Sequence, residues 1–130
     1  MDNCIFCKIG RGEIPSYKVW EDEKYFAFLD RSPATEGHTL VIPKQHYRWV
    51  YDVPEFGEYC EAVLQVTRIV EKALQPKWIN YLTHGGVPHA HIHILPRFEE
   101  DVASANPAPK QKPMAEVELE KVIKKLRVRS

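Results

Sequence analysis

Histidine stands at every second position in Val87-Pro88-His89-Ala90-His91-Ile92-His93-Ile94-Leu95-Pro96. Imidazole is the side chain best suited, near neutral pH, to act as nucleophile, proton carrier or metal ligand. Alternating apolar residues and bracketing prolines mark a short strand over residues 88–95. Alternate side chains of a strand share a face, so His89, His91 and His93 are expected to project together. One ion would hold all three only under strain. The outer two α-carbons of such a strand lie about 13 Å apart, whereas zinc–nitrogen bonds are only about 2.0–2.1 Å long. Dividing the row between two tasks is easier.

Two further groups carry chemistry. Cys4 and Cys7, separated by two residues, supply half of a tetrahedral zinc site, and equally suit a redox pair or two buried thiols. Asp30 precedes Ser32-Pro33, the setting of an ordinary turn aspartate and also of a carboxylate able to accept from two hydroxyls. Cys60 falls among helical core positions and is expected to be inert.

These residues need a scaffold, and the pattern supplies one of α+β class. Residues 17–20 and 24–30 alternate as a hairpin around Glu21-Asp22-Glu23, and 38–43 form a third strand ending at Pro43. From Asp52 the period changes: Phe56, Tyr59, Val63, Val66, Val70 and Ala73 follow helical spacing, with Asp52 and Glu55 placed as a capping pair and Pro76 as the stop. Residues 78–83 and 88–95 complete five strands, joined by a loop holding Gly85-Gly86. Residues 103–113 are a proline- and alanine-rich connector. From Met114, Val117, Ile123 and Leu126 suggest an amphipathic C-terminal helix, packed on the domain or on a second subunit.

Bulk properties narrow the options. The chain has 130 residues, enough for one domain with a real core. Its 18 basic residues equal its 18 acidic ones, so no basic field advertises nucleic-acid or membrane binding. No apolar run approaches the roughly 20 residues of a membrane span, and no secretory core segment opens the chain. A cytoplasmic location is the expectation. Three cysteines, one far from the others, argue against a disulfide framework.

The motifs together resemble the histidine triad (HIT) family of nucleotide hydrolases and transferases. Beyond the alternating histidines, Cys4-Ile5-Phe6-Cys7-Lys8-Ile9 with Gly12-Glu13-Ile14-Pro15 is similar to the opening of its prokaryotic members. Phe28-Leu29-Asp30 with Ser32-Pro33, and Gly37-His38-Thr39-Leu40-Val41-Ile42-Pro43-Lys44 with His46, are similar to its middle. The likeness covers residues 3–98 in order and spacing. It implies a five-stranded antiparallel sheet with one long helix and a C-terminal helix, residues 1–102 forming the HIT domain and 103–130 the connector and tail. It implies that His91 is the nucleophile toward the α-phosphate, with His93 and His38 at the non-bridging oxygens and no catalytic metal. Phe6, Ile9, Ile14 and Phe28 would enclose a purine base, Asp30 would read the ribose, and Asn80 would lie near phosphate or ribose. Cys4, Cys7, His46 and His89 would hold structural zinc, and the chain would pair as a homodimer.

The third triad position is glutamine in the family's transferases, so His93 favours hydrolysis. A neutral imidazole can attack phosphorus to give a nucleotidyl-histidine that water resolves. A phosphoramidase-like hydrolase is the leading reading; a dinucleoside polyphosphate hydrolase with Arg97 on distal phosphates, and a zinc-containing nucleotide-binding module without turnover, are the alternatives. Two departures stand out. Arg31 replaces an apolar residue and can stack on the base or face solvent. Gly85-Gly86-Val87-Pro88 lacks the hydroxyl or amide that assists the leaving group elsewhere in the family, leaving Thr83 or His84 to substitute, or the assistance weak.

Overall fold

The computed structural model describes residues 3–98 and 111–129; most of the expected connector at 103–113 lies outside them. Helix α1 (Ile5–Gly10) is followed by β1 (Lys18–Glu21), β2 (Tyr25–Leu29), β3 (Thr39–Pro43), a 3-10 turn (Val50–Asp52), α2 (Phe56–Leu74), β4 (Trp78–Leu82), β5 (Ile92–Arg97) and α3 (Glu116–Arg129). The strands form one antiparallel sheet in the order β1-β2-β3-β5-β4. Every residue of β2 and β3 is buried, because both faces of these central strands are covered.

Alternation sorts the side chains between two cores. Ala27, Val41 and Ile94 meet Tyr59, Val63, Val66 and Val70 of α2, joined by Leu119, Val122, Ile123 and Leu126 of α3. Each such aliphatic contributes roughly 1.5–3 kcal/mol on burial. On the opposite face Phe26, Phe28, Leu40 and Ile42 pack with Phe6 and Ile9 of α1. The candidate site residues lie on this second, thinner side. Between α2 and β4 an apolar groove of about 450 Å³ runs past Phe56, Cys60, Leu64, Tyr81 and Leu82.

Four local expectations are corrected. Strand β5 begins at Ile92, not residue 88, so His89 and His91 precede it. Pro43 and Pro88 contribute no N–H to a ladder, and β3 pairs with β5 only through Val41↔Ile92; beyond it the backbone turns away, with Ala90 N–H donating to Tyr47 O at 2.6 Å. Asp52 and Glu55 do not cap α2. Glu55 is left-handed (φ 53°) and makes no capping bond, its carboxylate instead meeting Lys24. Cys60 is exposed rather than in the helix core. Val117 is also exposed, because Leu119 and Val122 take the inner face of α3.

Candidate active site and metal cluster

Both ends of β3, the approach to β5 and helix α1 converge on the α1 face of the sheet. There the backbone decides which nitrogen of each histidine bears hydrogen. His91 Nδ1 lies 2.7 Å from the carbonyl of His89; a carbonyl only accepts, so Nδ1 holds the hydrogen and Nε2 keeps its lone pair. His38 Nδ1 accepts from Ala34 N–H at 3.0 Å, which puts hydrogen on Nε2, 2.8 Å from His93 Nδ1. That nitrogen of His93 therefore accepts, and its Nε2 carries hydrogen. His93 Nε2 is buried and has no partner among the described residues. His91 and His93 rings lie 5.0 Å apart, so a lone pair and an N–H donor stand side by side. The resemblance implied that His38 contacts the phosphate; in the structure its Nε2–H is engaged by His93 Nδ1. Gly37, at φ 84°, makes the turn that delivers His38, and a side chain there would strike Leu74.

His89 turns the other way. Its Nε2 lies 2.8 Å from Pro43 O, a carbonyl left without a ladder partner, so Nδ1 keeps a lone pair. That atom lies 3.2 Å from Cys4 Sγ and 3.4 Å from Cys7 Sγ, and His46 Nδ1 is 3.3 Å from Cys7 Sγ. One ligand atom from each of the four residues falls within 4.8 Å of all the others. Zinc with bonds of about 2.3 Å to sulfur and 2.0 Å to nitrogen holds neighbouring ligand atoms about 3.3–3.8 Å apart. The set fits zinc in type, number and spacing. Burial pushes the Cys7 thiol up to about 11, so a cation is what would draw out its thiolate. Phe6 wedges between the two groups, its ring edge-on to His89 at 6.0 Å and to His91 at 5.2 Å.

A pocket of about 660 Å³ opens beside the triad, lined by Phe6, Ile9, Ile14, Phe28 and Leu40 with Asp30 and Arg31 at the rim. It is apolar with one carboxylate at its edge, a shape suited to a base and a sugar. Asp30 Oδ1 accepts from Ser32 N–H at 2.8 Å, and Oδ2 from Gln111 Nε2 at 3.0 Å. Gln111 was not foreseen, since it reaches Asp30 from a segment read as connector. Arg31 sits over the Tyr17 ring at 5.4 Å. Asn80 shares a sheet face with His93 but pairs with Leu95, two steps from the Leu82↔His93 pair, and accepts from Arg97 at 3.0 Å. Arg97 is 1% exposed and lies over Trp78.

A model described as the HIT domain matches residues 11–100. The chain belongs to the HIT family. It is 46% identical over 105 residues to Protein hit of Bacillus subtilis, spanning 75% of this chain and 72% of that one. It is 38% identical over 103 residues to the adenosine 5'-monophosphoramidase HNT1 of Saccharomyces cerevisiae, covering 75% and 64% respectively. The crystal structure of a zinc-bound histidine triad family protein from Mycobacterium smegmatis matches with a TM-score of 0.73 at 30% identity, over 98% of this chain and 95% of that one. The five-stranded antiparallel α+β architecture is that of the HIT fold. No helix among the described residues is long and apolar enough to cross a membrane.

The HIT histidines are held neutral at pH 7. Burial lowers His91 and His89, and takes His38 to about 4 and His93 to about 3. A histidine whose folded value lies below its unfolded value binds its proton first in the unfolded chain. Stability is therefore full above about pH 6.5, falls as pH drops toward 3, and levels below that. For His38, 2% exposed, the loss is about 3 kcal/mol. Urea unfolding from pH 7.5 to 4 is expected to show this decline, shallower in the His38→Gln/His93→Gln variant; identical profiles would contradict it.

Proposed function

We propose that this HIT protein is a nucleotide hydrolase of phosphoramidase type, cleaving purine nucleoside 5'-monophosphate derivatives at the α-phosphate through a nucleotidyl-His91 intermediate. The observation that carries it is the 2.7 Å bond from His91 Nδ1–H to the His89 carbonyl, which leaves Nε2 free and nucleophilic. Its lone pair forms a bond to phosphorus while the amine, protonated from solvent, departs neutral with the electrons of its broken P–N bond. Water then attacks the same phosphorus, gives up a proton to solvent, and the electrons of the P–Nε2 bond return to Nε2. His93 donates Nε2–H to a non-bridging oxygen, stabilising charge that builds during transfer, and His38 holds it in that tautomer. Phe6, Ile9, Ile14 and Phe28 take the base and Asp30 the ribose, whose hydroxyls exchange with the Gln111 contact.

Cys4, Cys7, His46 and His89 hold structural zinc in this reading, supported by their spacing and by the zinc-bound relative. The ion stays out of the reaction and fixes α1 against the segment preceding β5. The name of the yeast relative favours an amine leaving group, and burial of Arg97 disfavours a polyphosphate one. Turnover of an adenosine 5'-phosphoramidate is expected to exceed that of diadenosine polyphosphates at least about tenfold in kcat/KM. The reverse order would move the assignment to the polyphosphate branch, and turnover of neither substrate would leave a binding module.

A further inference from the structure

His84, exposed in the loop between β4 and β5, leans over the triad. Its ring centroid lies 5.3 Å from His91 and 4.8 Å from His93. One ring nitrogen from each of the three falls within 4.8 Å of the other two. Such a cluster invites a metal, but the proton positions oppose one. Gly86 N–H donates to His84 Nδ1 at 3.0 Å, so in the neutral ring hydrogen sits on Nε2. His93 Nε2 bears hydrogen as well, through His38. Two of the three rings thus carry hydrogen on Nε2, and only His91 keeps a lone pair there.

The loop is built to hold this ring. Thr83 Oγ1 donates to His91 O at 2.7 Å. Arg48, stacked over Trp49 at 3.8 Å, donates to Gly85 O at 3.4 Å. A β-carbon on Gly86 would come within 3.0–3.1 Å of the His84 ring, so glycine is what admits the close approach of ring and amide. The sequence offered this histidine, with Thr83, only as a substitute for leaving-group assistance.

We propose that His84 is a further catalytic residue, its Nε2–H gripping one non-bridging oxygen of the reacting phosphate while His93 Nε2–H grips the other. The assignment rests on nucleotidyl transfer to His91. As the P–N bond forms, charge gathers on both oxygens, and two neutral donors stabilise it. No proton leaves His84; the amine, protonated from solvent, departs neutral with the electron pair of its own bond. The site thereby gains a polar contact that Gly85-Gly86-Val87-Pro88 cannot supply from side chains.

The test uses an adenosine 5'-phosphoramidate and the two diastereomers in which sulfur replaces one non-bridging oxygen, since sulfur is the poorer acceptor. Against the wild-type protein each diastereomer is expected to be about tenfold slower than the all-oxygen parent, the worth of one weakened hydrogen bond. In His84→Ala, kcat/KM for the parent falls about 100-fold, and the sulfur penalty vanishes for one diastereomer while persisting for the other. His84→Asn, which keeps a donor, recovers part of the loss. Unchanged penalties for both diastereomers in His84→Ala, or an unchanged parent rate, would overturn the role of His84 alone. Failure of the wild-type protein on the all-oxygen parent would instead overturn the nucleotidyl-transfer reading and this role with it.

Discussion

His91→Ala is expected to lower kcat/KM for an adenosine 5'-phosphoramidate at least about 10⁴-fold, because it removes the atom that forms the covalent bond. Nucleotide affinity should change by less than about threefold, since the apolar pocket of α1, β2 and β3 is built from other side chains. Equilibrium binding of adenosine 5'-monophosphate, measured beside steady-state kinetics, separates the two effects. A residual rate within about 100-fold of wild type would mean that another group attacks phosphorus. The geometry makes that rival hard to find. His93 Nδ1 accepts from His38, its Nε2 bears hydrogen, and His84 Nδ1 is turned to Gly86. Among these three rings, His91 alone keeps an unengaged lone pair on Nε2.

On the proposed zinc reading, treatment with a chelator is expected to lower Tm by about 10 °C or more and to reduce kcat as well. Closing four ligands around an ion is worth several kcal/mol of folding free energy, and in a chain of this size each kcal/mol moves Tm by a few degrees. The effect on kcat follows from the two ends of His89. Its ring faces Cys4 and Cys7, while its carbonyl accepts the His91 Nδ1–H. Loosening the ring loosens the carbonyl that sets the tautomer of His91, and displacing an orienting partner of this kind typically costs about 10–100-fold. Cys7→Ser should reproduce both effects without chelator. A metal-free preparation with unchanged Tm and kcat would remove zinc from the account.

Much of this was legible in the chain. Alternation located all five strands, and helical spacing located α2, because half-buried elements print their period on the sequence. Asp30, Phe6, Ile9, Ile14 and Phe28 were readable only as motif positions, and the fold brings them around one pocket. Hydrogen-bond direction was not readable. Whether His91 exposes Nδ1 or Nε2 depends on a carbonyl two residues back, and His38 is turned by the amide of Ala34. The break before β5 was missed because alternation looks the same in a strand and in an extended segment that has left the ladder. His84 and Gln111 reach the site through loop closure, which leaves no period to read, and Cys60 shows the converse, an apolar helical position that faces outward.

The most direct test of the backbone-set nucleophile is intact-mass analysis of the full chain, quenched in acid-free buffer within milliseconds of mixing with an adenosine 5'-phosphoramidate, followed by peptide mapping. The account predicts one adenylyl group per chain, carried on His91 and lost on further incubation with water. An adduct on His93, His84 or a cysteine, or rapid turnover with no adduct in wild type, would contradict it.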